Sequence, residues 1–411
     1  MADVVRHVGR ATGNPDPADP VQPLFLAELI PSATDVTAVT GRSHTHLAGP
    51  SGQSNLVSTM RRHLLSLPLL PLLALTGCAS STEIPMPNKP AHHLADGRFR
   101  NPYNDNPPAP ATLGDRIPFF WGMMWKGFDI VTVPEGHVLP KAEVLAGLQR
   151  HHNADSYTWL GHAAFLIKLG GATILTDPYL SEVAGPFNAF GPKRYVPSAL
   201  SPAELPPIDI LTLSHNHYDH LDLKAIAAIP NKDRISVVVP LGLGVYFRDS
   251  DYTDVTELDW YDSIERKGVL VTVTPAVHFS RRGLFDGNRT LWAGFTYAAG
   301  GRKLYFSGDT TYGTVFREIG RKLGPFDTAF IGIGAYEPQT IMRSSHTTPE
   351  QAAQLARDVG ARRVIGMHWG TVVLSNEPPF EAPDRLRAGA AAAGYAPGEA
   401  DVMPIGATRA F

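Results

Sequence analysis

Four apolar runs in the second half of the chain each end in a residue that can bind a metal: His215 after "DILTLS", His278 after "VTVTPAV", Asp309 after "LYFSG" and His368 after "RVIGM". Short runs rich in Val, Ile, Leu, Thr and aromatics, bounded by Gly, Pro, Asn or Asp, read as β-strands. Strand ends gathered on one edge of a sheet hold loop residues over a rigid base and aim them at a common point. The chain is therefore expected to fold into a many-stranded sheet structure with one chemical centre at an edge.

From Tyr157 onward further runs of this kind ("YTWLGHAAFLIKLGG", "ATILTDPYL", "RISVVVPLG", "TLWAGFTYAAGG", "TAFIGIGAY") alternate with helical stretches. Helices are predicted at Asp222 to Ile229, Gly313 to Leu323 and Thr348 to Val359, the last opening on a Thr cap followed by Pro-Glu. The pattern is one mixed α/β domain, and no fixed period marks a repeat.

The stretch "LSHNHYDHLD", Leu213 to Asp222, holds three histidines and two aspartates. An extended chain puts His215 and His217 on one side, where both can reach one ion, and Asp219 and His220 follow as the chain turns toward a helix and can reach a second. His278, Asp309 and His368 complete seven ligands, with Asp309 as a bridge. Cys78 is the sole cysteine, so thiolate ligands and intrachain disulfides are excluded. Imidazole nitrogen with some carboxylate oxygen suits divalent zinc, and manganese or iron are alternatives. A net charge of -3 and the lack of a dense Lys/Arg run make nucleic acid an unexpected partner.

In order and local context these seven residues resemble the ligands of the metallo-β-lactamase fold hydrolases. "TWLGHA", "LTDP", "GPKR", "ELPPIDILTLSHNHYDHLD", "VPLGL", "ELDW", "SGDT", "EIGRKLGPFD", "IGAYEP" and "HWGT", spread over Tyr157 to Glu381, resemble the subfamily of N-acylphosphatidylethanolamine-hydrolysing phospholipase D. The resemblance implies an αββα sandwich with a dinuclear metal site at the strand ends. It implies one zinc on His215, His217 and His278, a second on Asp219, His220 and His368, and Asp309 between them. A histidine after the "AYEP" loop lies near the substrate phosphate in that subfamily, and His346 stands at that position. Ser345 and Gln339 replace the Gln and Arg of the animal enzyme, which leaves the lipid headgroup open.

Asp219 and Asp309 are thus expected in the catalytic machinery as ligands, and His346 as the residue that orients the phosphate or protonates the leaving alkoxide. His162 and Asp177 read as outer partners that hold ligand loops. Arg282 reads equally as a phosphate contact or a surface residue, and Trp369 as packing. The expected substrate is a phospholipid or another phosphodiester. Alternatives are a lactone, a β-lactam or a nucleotide phosphodiester on the same scaffold, and, from another class, a non-catalytic envelope lipoprotein.

Ahead of this domain, "MRRHLLSLPLLPLLALTGCASS" has the charged, apolar and small-residue order of a secretory signal. Its "LTGC" resembles the lipobox of bacterial lipoproteins, so residues 60–78 are expected to be a signal and Cys78 a lipidated anchor to the membrane. Ala79 after it leans toward the outer membrane of a two-membrane bacterial envelope, on the periplasmic side. Residues 1–59 lack a sustained period and are expected to be an upstream extension, with Met60 as the natural start. His44 and His46 there, and His92 and His93 in the Pro- and Asn-rich stretch 79–116, read as incidental. That stretch reads as a tether or wrapping segment, and 117–411 as the hydrolase domain, possible as a homodimer. "IPFFWGMMWKGF", Ile117 to Phe128, reads as core packing ahead of an interfacial or acyl-chain contact.

Overall fold

In the computed structural model the apolar runs pair into two seven-stranded sheets. The structure describes residues 84–103, 111–126 and 130–411, all within one compact unit, Leu69–Phe411. Residues 1–83, with His44, His46, the expected signal and Cys78, lie outside the described residues.

The first sheet is built from β1 (Ser156–Gly161), β2 (Ala164–Leu169), β3 (Ala172–Thr176), β4 (Ile210–Thr212), β5 (Ser236–Pro240) and β6 (Asp254–Leu258). The second takes β7 (Ser263–Arg266), β8 (Val269–Thr274), β9 (Gly294–Ala299), β10 (Arg302–Phe306), β11 (Phe326–Gly332), β12 (Ala361–Met367) and β13 (Ala400–Asp401); β14 (Thr408–Ala410) returns to pair with β1. Each sheet is antiparallel in its first half and parallel in its second, along β3-β4-β5-β6 and along β10-β11-β12-β13. As a result β1, β3, β4, β8, β10, β11 and β12 point their C-terminal ends at the same edge of the sandwich.

Strand alternation sorts the core. Trp159, Phe165, Ile167, Ile174 and Val238 belong to the large cluster shared with Val271, Val273, Phe295, Phe306 and Phe330 of the facing sheet. Their neighbours Leu160, Leu166, Leu175, Leu211, Val237 and Val239 pack on the opposite side with Val144, Ala225 and Ile226 from covering helices. With both faces covered, strands such as β1, β3 and β5 read as continuous apolar runs. The architecture is the α/β sandwich of the metallo-β-lactamase fold.

The helices are α1 (Leu113–Lys126), α2 (Lys141–Arg150), α3 (Leu223–Ala228), α4 (Val315–Leu323), α5 (Gln339–Met342), α6 (Pro349–Asp358) and α7 (Ala382–Ala392). The three predicted from sequence correspond to α3, α4 and α6. Asp222 caps α3 by accepting from the Ala225 N–H at 3.0 Å. Thr348 and Gln351 cap α6 reciprocally at 3.2 and 3.0 Å. Replacing Thr348 by Ala removes one side of that box and is expected to lower stability by about 1 kcal/mol, read as a shift in denaturant midpoint at constant slope. Helices α2 and α7 follow Pro140 and Glu381 without a side-chain cap, and carry Glu143 and Asp384 in their first turns.

Helix α1 departs from the core-packing expectation. Phe119 is buried against Ala335 and Met342, but Leu113, Ile117, Phe120 and Trp121 are exposed at helical spacing, between 44 and 57%. No helix among the described residues is long and apolar enough to cross a membrane.

Candidate metal centre

Both sheets contribute to the centre. The loop after β4 carries His215, His217, Asp219 and His220, and the ends of β8, β10 and β12 lead into His278, Asp309 and His368. His162 follows β1, Asp177 follows β3, and His346 lies on the loop after α5.

The side chains converge as two groups. One donor atom each from His215, His217, His278 and Asp309 falls within a 4.8 Å spread, and so does one each from His162, Asp219, His220 and His368. Asp309 reaches across: its Oδ2 is 3.9 Å from Nε2 of His215 and of His278, 3.1 Å from His220 Nε2 and 3.2 Å from His368 Nε2. Asp219 Oδ2 stands 3.4 Å from His368 Nε2 and 3.7 Å from His220 Nε2. All seven residues singled out in the sequence are therefore together, and His346 borders them with Nδ1 3.9 Å from Asp309 Oδ2.

Several rings are held from outside. His220 Nδ1 faces Asp177 Oδ2 at 2.7 Å, His215 Nδ1 faces Ser214 Oγ at 2.9 Å, and His278 Nδ1 donates to the Ser345 carbonyl at 2.9 Å. Asp177 also accepts from the Ser214 N–H at 2.7 Å and its hydroxyl at 2.5 Å, which ties the start of the ligand loop to the end of β3. Such outer partners choose the tautomer and turn the other ring nitrogen inward. His220 Nε2, both ring nitrogens of His368 and Asp309 Oδ1 are buried with no hydrogen-bond partner. Buried polar atoms are normally paired. Around tetrahedral zinc, bonds of 2.0 to 2.1 Å put neighbouring donors about 3.3 Å apart. The inward spacings run from 2.8 Å between His215 Nε2 and His217 Nδ1 to the 3.9 Å of Asp309, so the donor set fits bound metal.

Charge points the same way. Burial, reinforced by neighbouring histidines, holds His215 and His278 well below the ordinary histidine range, and burial brings His217 and His346 down to about 4. Burial would likewise depress His220 and His368, but Asp309 and Asp219 overcome it, raising His220 well above the usual value and His368 to about 9. Against burial, His220 above all keeps Asp219 and Asp309 well below the usual carboxylate range. Two anionic carboxylates among mostly neutral imidazoles attract positive charge, which a metal can supply in place of protons.

The geometry also assigns neighbours. His162 Nε2 lies 3.0 Å from Asp219 Oδ2, hydrogen-bond distance, and burial lowers its pKa to about 3, so a neutral ring holds the carboxylate. Arg282 is tied to the ligand loop: Nη1 donates to the carbonyls of Asn216 and Leu221 at 3.1 and 2.7 Å and the guanidinium stacks 3.9 Å over Tyr218, bracing both ends of that loop. Ser345 acts through its carbonyl, and Gln339 donates to the Tyr336 carbonyl. Trp369 stacks on Trp159 at 5.4 Å, as packing. His162, Asp177, Ala335 and His368 all have positive φ, a conformation costly for residues with a side chain and concentrated at functional sites. His92 and His93 are not incidental, since both contact Asp259, more than 160 residues away, and no local signal reveals that partner.

The chain is similar to known proteins. Residues 172–369 match the profile of the Beta-lactamase superfamily domain. N-acyl-phosphatidylethanolamine-hydrolyzing phospholipase D 1 of Caenorhabditis elegans is 42% identical over 242 residues, covering 56% of this chain and 68% of that protein. A UPF0173 metal-dependent hydrolase of Caldivirga maquilingensis is 29% identical over 230 residues, 54% of this chain and 86% of that one. Outer membrane protein RomA of Klebsiella pneumoniae is 43% identical over 100 residues, 24% of this chain and 74% of that one. With a nematode relative this similar and two sheets whose strand ends gather these histidines and aspartates, the chain belongs to the metallo-β-lactamase fold hydrolases, alongside the N-acyl-phosphatidylethanolamine-hydrolysing phospholipases D.

Proposed function

We propose that the protein is a two-metal phosphodiesterase of phospholipase D type, acting on N-acylphosphatidylethanolamine-like lipids at a membrane surface. The observation that carries this reading is the buried cluster of five histidines and two aspartates, in which His220 Nε2, His368 Nε2 and Asp309 Oδ1 lack hydrogen-bond partners. His215, His217 and His278 would hold one ion, Asp219, His220 and His368 the other, and Asp309 both. Bound there, divalent ions supply Lewis acidity and a water acidic enough to serve as a nucleophile near neutral pH. The protein's part is orientation: Asp177, Ser214 and the Ser345 carbonyl turn the imidazoles inward, His162 steadies Asp219, and His346 is close enough to the cluster to hydrogen-bond a phosphate oxygen.

A lipid substrate is supported by the surface around the cluster. The cavity beside His368, lined by Tyr195, Ala335, Trp369 and Leu374 among others, has a volume of about 30 Å³, room for water and not for an acyl chain. Apolar side chains are instead exposed on the elements that carry or flank the ligands. Phe279, 40% exposed, packs its ring 4.6 Å from that of His217, and Phe285 is 86% exposed on the same loop. The α1 stripe sits on the loop leading toward His346 through Phe119, Ala335 and Met342. An anchor at Cys78 and a place in the cell envelope complete the proposal, and the name of the Klebsiella relative supports that location.

The test is mass spectrometry of lipids after incubating metal-loaded protein with N-acylphosphatidylethanolamine vesicles. Phosphatidic acid and N-acylethanolamine are the expected products. Their absence from protein that holds two metal ions would overturn the phospholipase D reading and favour a lactone, β-lactam or nucleotide phosphodiester as substrate. The stripe has its own test: replacing Ile117 and Phe120 by Ser is expected to lower turnover on vesicles about tenfold, the effect of roughly 1.4 kcal/mol of lost apolar contact. Turnover on a soluble short-chain substrate should stay unchanged.

A further inference from the structure

Residues 84–103 precede every metal-centre motif, yet they touch one ligand directly. Asn101 donates from Nδ2 to the His278 carbonyl at 2.6 Å and accepts the His278 N–H on Oδ1 at 3.3 Å; the same oxygen takes the indole N–H of Trp292 at 3.0 Å. One side-chain amide thus pairs both main-chain groups of His278, four residues beyond the end of β8, where the sheet ladder no longer supports the chain. The preceding residue is tied elsewhere, Val277 N–H to Thr310 Oγ1 at 2.9 Å and its carbonyl to the Thr311 N–H at 2.9 Å. The ring of His278 is turned by the Ser345 carbonyl, and its backbone is placed by Asn101.

The strap that brings Asn101 is fastened at its other end. His92 Nε2 and His93 Nε2 meet the two oxygens of Asp259 at 2.6 and 2.7 Å, and the His92 ring stacks 4.1 Å from Trp260. Each ring stands at hydrogen-bond distance from its own oxygen of the carboxylate, so the trio forms a hydrogen-bonded latch. Between latch and Asn101, Phe99 is buried in the core and its N–H donates to the Asn288 carbonyl at 2.8 Å.

We propose that Asn101 is a positioning residue for the metal centre, carried by a strap that the His92, His93 and Asp259 latch holds in place. The inference rests on the two-metal reading above, and a metal titration separates the two. Cobalt(II) is titrated into metal-free full-length protein, followed by its visible absorption, for wild type, Asn101→Ala and Asp259→Asn. The Ala variant is expected to lose about 10- to 100-fold in affinity at one site, the usual effect of removing a ligand's outer partner, with an altered absorption band for that site. The second site should stay within twofold. Asp259→Asn, which loosens the latch far from the centre, should weaken the same site to a smaller degree and serves if the Ala variant does not fold. Wild-type affinity at both sites, or an equal loss at both, would overturn the positioning role while leaving the two-metal reading standing. Uptake of no cobalt by the wild type would overturn both.

Discussion

Asp309→Asn is expected to reduce the proposed lipid hydrolysis by about three orders of magnitude or more, and to leave the chain unable to hold two metal ions together. Asp309 Oδ2 reaches donors of both groups, at 3.1 and 3.2 Å from His220 and His368 and at 3.9 Å from His215 and His278. Asp219 serves only one of the groups. The amide keeps the volume and removes the negative charge, so the two cations would face each other without a shared anion. Bridged metals contribute several kcal/mol of charge stabilisation in the transition state, and about 4 kcal/mol corresponds to a thousandfold in rate. Folding should survive, because Asp309 lies beyond the end of β10 and outside the apolar core, and the amide is isosteric with the carboxylate. Metal analysis, lipid mass spectrometry and circular dichroism on the same preparation separate these effects. Turnover within tenfold of wild type, with two metals retained, would show that Asp309 does not bridge.

The centre could be read from sequence because its parts obey local rules. Strand ends are marked by turn residues, period-two geometry pairs His215 with His217, and the α6 cap is written in "HTTPEQ". What escaped depends on partners distant in the chain. His92 and His93 look inert until the fold brings Asp259 to them, and nothing local to Arg282 shows that the carbonyls of Asn216 and Leu221 come within its reach. Helix α1 is ambiguous in sequence for another reason. A stripe at Leu113, Ile117, Phe120 and Trp121 has the same spacing whether it faces a core or a lipid, and only the position of Phe119 against Ala335 decides that the stripe faces outward.

Asp177→Asn is expected to weaken one metal site by about 10- to 100-fold without touching either ion. Asp177 is fully buried, and positive φ is a conformation that Asn accepts as readily as Asp, so the backbone has no reason to move. Its Oδ1 accepts the Ser214 N–H, and its Oδ2 accepts the Ser214 hydroxyl and faces His220 Nδ1. A proton on Nδ1 leaves the Nε2 lone pair of His220 pointing into the cluster. An amide cannot reproduce that arrangement in either orientation. With its NH2 toward His220, the ring must accept on Nδ1 and carry its proton on Nε2, where the metal should bind; flipped, the NH2 confronts the Ser214 N–H at 2.7 Å. The first orientation puts a ring proton in the metal's place, and the second leaves two buried donors opposed, a cost of about 1–3 kcal/mol. Nitrogen-15 NMR of the histidines in the metal-free protein, at a pH high enough to remove the second His220 proton, should show His220 moving toward the Nε2-protonated form, and chelator competition should show one ion released more easily. An unchanged tautomer and two equally tight ions would mean that Asp177 holds the loop through Ser214 alone.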